Sequence, residues 1–230
     1  MINNEFYSLL CGKLLGDGYL LSRKNARLQF RHTTKDRQYV LDQLERLKKH
    51  ISFGPNNPAE YRYTDSRTGK TYTTLICQSK MDPRLTQLKE LWYPRGQKIV
   101  PFQFVQDHLD PLALSIWYQD DGNLKNERRL ILSTESFSEE ENLFLIRLLK
   151  ERFLIEASVD TQRRIDISGR KDVELFLLYV SPFLSVGMNR KSLNPFYEKL
   201  RAETESLLLS TDGKEEMVRT TIYVPFHFKK

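Results

Sequence analysis

The chain has 230 residues, 40% hydrophobic and 11% aromatic, a composition that suits a packed globule and not a disordered chain. Lysine and arginine outnumber aspartate and glutamate by 36 to 30, a formal charge of +6 that suits a polyanionic partner without requiring one. No apolar run reaches membrane-span length, and the N-terminus lacks the basic region and cleavage site of a signal peptide. The two cysteines, Cys11 and Cys77, form no metal-type cluster, so buried thiols in a soluble, intracellular protein are expected.

The first element is an apolar, helix-length run from Leu9 to Leu15, with Gly12 and Gly16 four apart and Asp17-Gly18 at its end. Two extended runs follow, Tyr19 to Arg23 and Ala26 to Thr33, around a turn at Lys24-Asn25. In the second, Leu28 and Phe30 point one way and Arg27, Gln29, Arg31 and Thr33 the other. Arginine and glutamine pair bidentately with guanine and adenine edges, so that face is either plain solvated sheet or a surface that reads DNA. A helix from Lys35 to about Lys49 carries the apolar stripe Val40, Leu41, Leu44 and Leu47.

Strands from Glu60 to Thr64 and Thr71 to Ser79 flank a hairpin tip whose Arg67 and Lys70 can reach a phosphate backbone. Gly69-Lys70-Thr71 has the ending of a phosphate-binding loop, but Thr64 stands where that motif needs its first glycine. Asp82-Pro83 starts a helix to about Trp92, and Pro94, Gly96 and Pro101 mark a linker holding an isolated Lys98.

The order then repeats. Asp110-Pro111 opens a second apolar helix that ends at Asp120-Asp121-Gly122. Asn123-Leu124 leads into a basic turn with Lys125, Arg128 and Arg129, then a strand from Leu130 to Thr134. Ser138 and Glu141 form a capping box for a helix to about Phe153. Strands near Glu156 to Asp160 and Arg163 to Ser168 precede a helix from about Lys171 to Val180 and an isolated Lys191. A duplicated unit is expected: residues 1–95 and 110–200, a linker at 96–109, and an extension at 201–230 with a strand-like run from Thr220 to Phe226.

If the two apolar helices pack side by side, Gly12 and Gly16 share a face that admits a close backbone. Alignment on the acids sets bulky Ile116 at the position of Gly12, a small-against-large complement. Parallel packing then brings Asp17 and Asp121 together at one end. Adjacent carboxylates repel unless a proton or a cation sits between them. Oxygen ligation suits Mg²⁺, with Mn²⁺ as a substitute, and such an ion activates water and stabilises a leaving oxygen in phosphodiester hydrolysis. One Asp-Gly step alone is usually a helix C-cap; a matched pair, each feeding a basic strand, favours the site. The histidines His32, His50, His108 and His227 have no metal-ligand spacing. His32 is expected on a strand face and His108 in the linker, neither with an evident partner.

Leu10 to Gly18, LCGKLLGDG, and Leu114 to Gly122, LSIWYQDDG, resemble the paired signature of the LAGLIDADG homing endonucleases, and the resemblance covers nearly all of residues 5–195. It implies an α+β fold of two pseudo-symmetric αββαββα repeats, with the motif helices paired at the interface and two antiparallel β-sheets forming a DNA-binding saddle. The implied activity is that of a monomeric, Mg²⁺-dependent endonuclease on a long asymmetric site in double-stranded DNA. An intron RNA maturase or a non-cleaving binding protein on the same fold is the alternative, and a bacterial cytoplasm or an organelle the expected compartment.

By the same resemblance Asp17 and Asp121 bind metal, with backbone contacts from Gly16 and Asp120, and Lys98 and Lys191 are the basic active-site residues. Cys11 and Lys13 depart from the small and apolar residues of the first motif, as Ile116 and Gln119 do in the second, and Asp120 fills a small-residue position. Candidates on the DNA-reading sheet faces are Arg27, Gln29, Arg31, Arg62, Gln78, Arg129, Arg164 and Asp166, with Arg67, Lys70, Lys125 and Arg128 at the turns.

Overall fold

The computed structural model describes residues 4–22, 25–126 and 128–192. Its centre is a pair of helices, α1 (Asn4–Leu15) and α5 (Pro111–Asp121), each apolar on nearly every side, as enclosed helices are. Leu9, Leu10, Cys11 and Leu14 on one, and Ala113, Leu114, Ile116 and Trp117 on the other, are fully buried. The Asp110 carboxylate caps α5 by accepting from the Ala113 N–H at 2.9 Å, with Pro111 in the first turn. It also accepts from the Ser8 hydroxyl at 2.6 Å, which ties the start of α5 to α1.

The approach of the two helices is set by glycine. A Cβ on Gly12 would lie 2.4 Å from the Ala113 carbonyl oxygen and 2.8 Å from the Ile116 Cβ; one on Gly16 would lie 2.5 Å from the Asp120 Cβ. The expected complement of Gly12 and Ile116 is therefore present.

Each motif helix feeds the same succession. After α1 come β1 (Tyr19–Ser22), β2 (Ala26–Thr33), α2 (Arg37–Lys48), β3 (Ala59–Thr64), β4 (Thr71–Gln78) and α3 (Pro83–Trp92). A further helix, α4 (Phe102–His108), precedes α5, which is followed by β5 (Gly122–Asn126), β6 (Arg129–Leu132), α6 (Glu139–Phe153), β7 (Ser158–Val159), β8 (Ile165–Ser168) and α7 (Arg170–Val180). Both sheets are antiparallel and share one topology, β1-β2-β4-β3 and β5-β6-β8-β7. On β2, Ala26, Leu28, Phe30 and His32 point inward while Arg27, Gln29, Arg31 and Thr33 point outward. Leu130, Leu132, Ile165 and Ile167 form the inner face of the second sheet.

Several elements differ from the sequence reading. The stretch expected as a linker is packed: Phe102 of α4 stacks on Phe144 of α6 at 4.3 Å, and the Val100 N–H donates to Glu141 at 2.6 Å. That glutamate is also half of the capping box with Ser138. Helix α2 starts only after a 3-10 turn at Thr34–Asp36. Strand β6 stops at Leu132, and β7 shrinks to two residues. The strand-like run from Thr220 to Phe226 lies outside the described residues, as does Arg23.

Because the methyl of Gly12→Ala would meet a helix backbone and not a flexible side-chain end, it should cost about 1–3 kcal/mol or more. The urea-unfolding midpoint reads this; a wild-type midpoint would contradict the helix contact.

Candidate active site

The acid–glycine steps turn the chain sharply out of each motif helix. A Cβ on Gly18 would lie 2.4 Å from the Lys13 carbonyl oxygen, and one on Gly122 would lie 1.9 Å from the Tyr118 ring. Only glycine lets the chain pass so close, which is why each acid stands on the last turn with a strand leaving beside it.

The C-terminal carbonyls of both helices are then taken up by lysine ammoniums. Lys98 Nζ donates to the carbonyls of Gly16 and Gly18, each at 3.1 Å. Lys191 Nζ donates to those of Tyr118 at 3.0 Å, Gln119, and Asp120 at 3.4 Å. A cation at a helix C-terminus offsets the partial negative charge there. Desolvation lowers the pKa of both lysines, against the pull of the nearby aspartates, and that of Lys191 falls to about 8.

Asp121 feels the charge of Asp17 across the helix pair. Desolvation by the packed helix ends, then the charges of Asp17 and Asp120, push the Asp121 carboxyl up to about 7. Desolvation and Asp120 also raise Asp17, against His32, Lys13 and Lys191. The carboxylate oxygens of Asp17 and Asp121 are donors of the kind a hard divalent cation takes.

Asp120 belongs to a different arrangement. Its side chain and that of Lys13 are both fully buried and lie 2.9 Å apart. Its Oδ1 accepts from the Tyr39 hydroxyl at 2.6 Å and sits 3.0 Å from His32 Nε2; its Oδ2 accepts from the Asp17 backbone N–H at 3.2 Å. Lys13 Nζ also donates to the Tyr39 hydroxyl at 3.1 Å. Burial alone would raise this carboxyl, but Lys13, His32 and Tyr39 outweigh it and hold it well below the usual carboxylate range. Ligand atoms of Asp17, His32 and Asp120 lie within 4.8 Å of one another. A cation shared by all three would have to sit beside the Lys13 ammonium, so the Asp120 carboxylate is a poor third ligand.

The family model of the LAGLIDADG DNA endonucleases matches residues 7–180. The chain belongs to that family. It is 30% identical over 199 residues to an uncharacterized protein of Methanocaldococcus jannaschii, covering 83% of this chain and 74% of that protein. It is 29% identical over 201 residues to the DNA endonuclease I-ChuI of Chlamydomonas applanata, covering 82% and 88%. It is 26% identical over 168 residues to the cytochrome b mRNA maturase bI2 of Debaryomyces hansenii, covering 72% of this chain and 63% of the maturase. The fold matches that of the homing endonuclease I-WcaI bound to its DNA recognition sequence, with a TM-score of 0.73, 24% identity, and coverage of 83% and 87%.

The two LAGLIDADG helix ends thus bring together Asp17, Asp121, Lys98, Lys191 and the carbonyls of Gly16 and Asp120, each carbonyl already accepting from a lysine. The outer sheet face of the first half starts at the acid, since Tyr19 lies opposite Gln29. Gln29 accepts from Gln78 at 3.1 Å, and Gln78 from Arg27 at 3.2 Å. The Arg31 guanidinium lies 5.2 Å over Tyr61, which heads a stack with Tyr63 and Tyr72. An open concavity of about 730 Å³ beside Arg27, Gln29, Gln78 and Asn57 forms part of this surface.

In the second half, Arg129 donates two bonds to Asp166, at 2.9 and 2.6 Å, and Arg164 two to Asp160 at the same distances. Arg67 and Lys70 flank an Asp65-capped turn, and Lys125 and Arg128 lie exposed at the β5–β6 turn. Arg62 is a correction: it pairs with Thr73, whereas Tyr61 and Tyr63 pair with Thr74 and Tyr72, so it faces the opposite side from Gln29 and Arg31. His32 is another. It points inward to two carboxylates, 3.0 Å from Asp120 and 3.5 Å from Asp17. His108 ends α4 and stacks on Tyr7 at 5.1 Å.

Lys13, Tyr39 and His32 are the site neighbours that the sequence reading missed. The available signal was a lysine midway along an apolar helix, which needs a buried acid.

Removing one partner of the Lys13–Asp120 pair strands a buried charge. Lys13→Met and Asp120→Asn should each cost about 3–5 kcal/mol in denaturant unfolding, and the double variant should recover most of the loss. Additive losses would contradict the pairing. The raised pKa of Asp121 makes its contribution to stability largest below its ordinary carboxylate range, and that contribution is lost as pH rises through about 7. Asp121→Asn should therefore raise the melting temperature of the metal-free protein at pH 8 and change it little at pH 4. Equal shifts at both pH values would refute the charge crowding.

Proposed function

We propose that the chain is a monomeric, site-specific endonuclease that hydrolyses phosphodiester bonds of double-stranded DNA with a divalent cation, Mg²⁺ in the first place. The observation that carries this reading is the close packing of two LAGLIDADG helices that end in Asp17 and Asp121, with Lys98 and Lys191 on their terminal carbonyls, in a family of DNA endonucleases. Asp17 and Asp121 would hold the ion, which when bound would supply an activated water and stabilise the leaving oxygen. Lys98 and Lys191, kept on the helix-end carbonyls, add positive charge where the phosphate gathers negative charge. With its pKa near 8, Lys191 can release or take a proton close to neutral pH.

The two repeats, residues 1–95 and 110–200, present their outer sheet faces to the two halves of the target. Gln29, Arg31 and Gln78 read the first; Arg129 and Arg164, held as forks by Asp166 and Asp160, read the second. Because the two faces share almost no side chains in kind, the target is asymmetric. That I-WcaI is bound to its DNA recognition sequence on the same fold supports this mode of engagement.

A plasmid carrying the uninterrupted host-gene sequence should be linearised with Mg²⁺ and left intact with EDTA. Asp17→Asn and Asp121→Asn should each cripple cutting while sparing DNA binding in a gel shift; full activity in either would sink the assignment. Absence of metal-dependent cutting together with tight binding of intron RNA would favour a maturase, the role named for the Debaryomyces hansenii relative.

A further inference from the structure

The two acids have unlike surroundings, and the difference traces to residues related by the internal repeat. Tyr19 lies opposite Gln29 and Gly122 opposite Leu132, so Phe30 in the first half corresponds to Leu132 in the second and His32 to Thr134. In the motifs Lys13 corresponds to Trp117. His32 points at the Asp17 carboxylate from 3.5 Å. Thr134 is turned into its own half: its hydroxyl donates to the Arg163 carbonyl at 3.3 Å and accepts from the Ile165 N–H at 3.1 Å. Trp117 is a buried indole in the place of the ammonium. Asp121 thus has no counterpart of the imidazole or of the buried ion pair among the described residues.

We propose that Asp120, anchored by Lys13 and Tyr39, and the His32 imidazole it orients are positioning residues for Asp17 alone, so that the two strands of a duplex are cut at inequivalent sites. The inference rests on the endonuclease reading above. Asp120 reaches Asp17 across the helix interface in two ways, through the backbone N–H at 3.2 Å and through His32. With Lys13, Tyr39, His32 and that N–H all directed at it, its carboxylate has no freedom to rotate away. The imidazole is fixed in turn, between Asp120 and the Tyr39 ring, which it meets edge-on at 5.0 Å and 86°. Asp17, 40% exposed in its side chain, is the part of the group that faces outward, and its orientation is set from behind.

The test is single-turnover hydrolysis, with Mg²⁺, of a duplex spanning the site cut in the plasmid assay and labelled on each strand separately. The ratio of the two strand rates is read within the same complexes, so a loss of folded protein leaves it unchanged. His32→Ala should slow one strand and shift the ratio by about tenfold or more, the scale for a group that orients a metal-binding side chain. His32→Gln, which still offers an N–H, should keep most of the wild-type ratio. Equal slowing of both strands, or an unchanged ratio with His32→Ala, overturns the proposal.

A second measurement needs no cutting. In DNA-free protein the unfolding effects of His32→Ala and Asp17→Asn should be non-additive, and those of His32→Ala and Asp121→Asn additive; additivity with Asp17 overturns the positioning. If the wild type cuts no duplex at all, the endonuclease reading fails and this coupling alone decides whether His32 positions Asp17.

Discussion

The structure depends on two helices meeting backbone to backbone. Gly12 and Gly16 leave room on α1, and Ile116 and Asp120 fill it from α5, so one helix carries the space and the other the bulk. That approach sets two helix C-termini side by side, each with its partial negative charge, and three carboxylates with them. Three lysines answer the three acids, but not in matching places. Lys13 is spent on Asp120, while Lys98 and Lys191 turn to backbone carbonyls. Among the described residues Asp17 and Asp121 keep no lysine of their own, and burial first and neighbouring carboxylates second raise both carboxyls.

The buried ion pair is the price of breaking the symmetry. A lysine and an aspartate at these positions gain little over well-packed apolar residues, because desolvation consumes most of their attraction. What they add is registry and direction. The Lys13 ammonium meets Asp120 across the helix interface, and the carboxylate it holds also engages His32 and the Asp17 backbone. Two departures from the motif, one in each half, are thus a single feature seen from two sides.

Much of the fold was legible because it is written locally. Asp82, Asp110 and Ser138 cap the helices they were expected to start, and the alternation on β2 separates core from surface as read. Arg62 shows where local signal ends: every residue of β3 is exposed, so no apolar pattern fixes which side each faces, and only pairing with β4 decides. The linker helix α4 was hidden for a related reason, since its packing partner Phe144 lies far along the chain. The acids at the two helix ends stood out in the sequence because each half repeats them, and the lysines because the family resemblance pointed to them. The contacts of Asp120 could not, because they run between the halves, and a comparison of one half with the other is blind to what crosses from one into the other.

The same asymmetry extends to the sheets. On the first, Arg31 leans over an exposed tyrosine and, among the described residues, is not held by a carboxylate, an arrangement that lets the guanidinium and the rings adjust to whatever surface they meet. On the second, Arg129 and Arg164 are each fixed by two bonds to an aspartate before any partner arrives. A fixed fork loses little further freedom on binding and discriminates sharply between partners that match its geometry and those that do not. An adjustable, aromatic-backed cation contributes attraction with less selectivity. The arginines of the two sheets thus differ in how they are held, just as the two acids differ in the side chains around them.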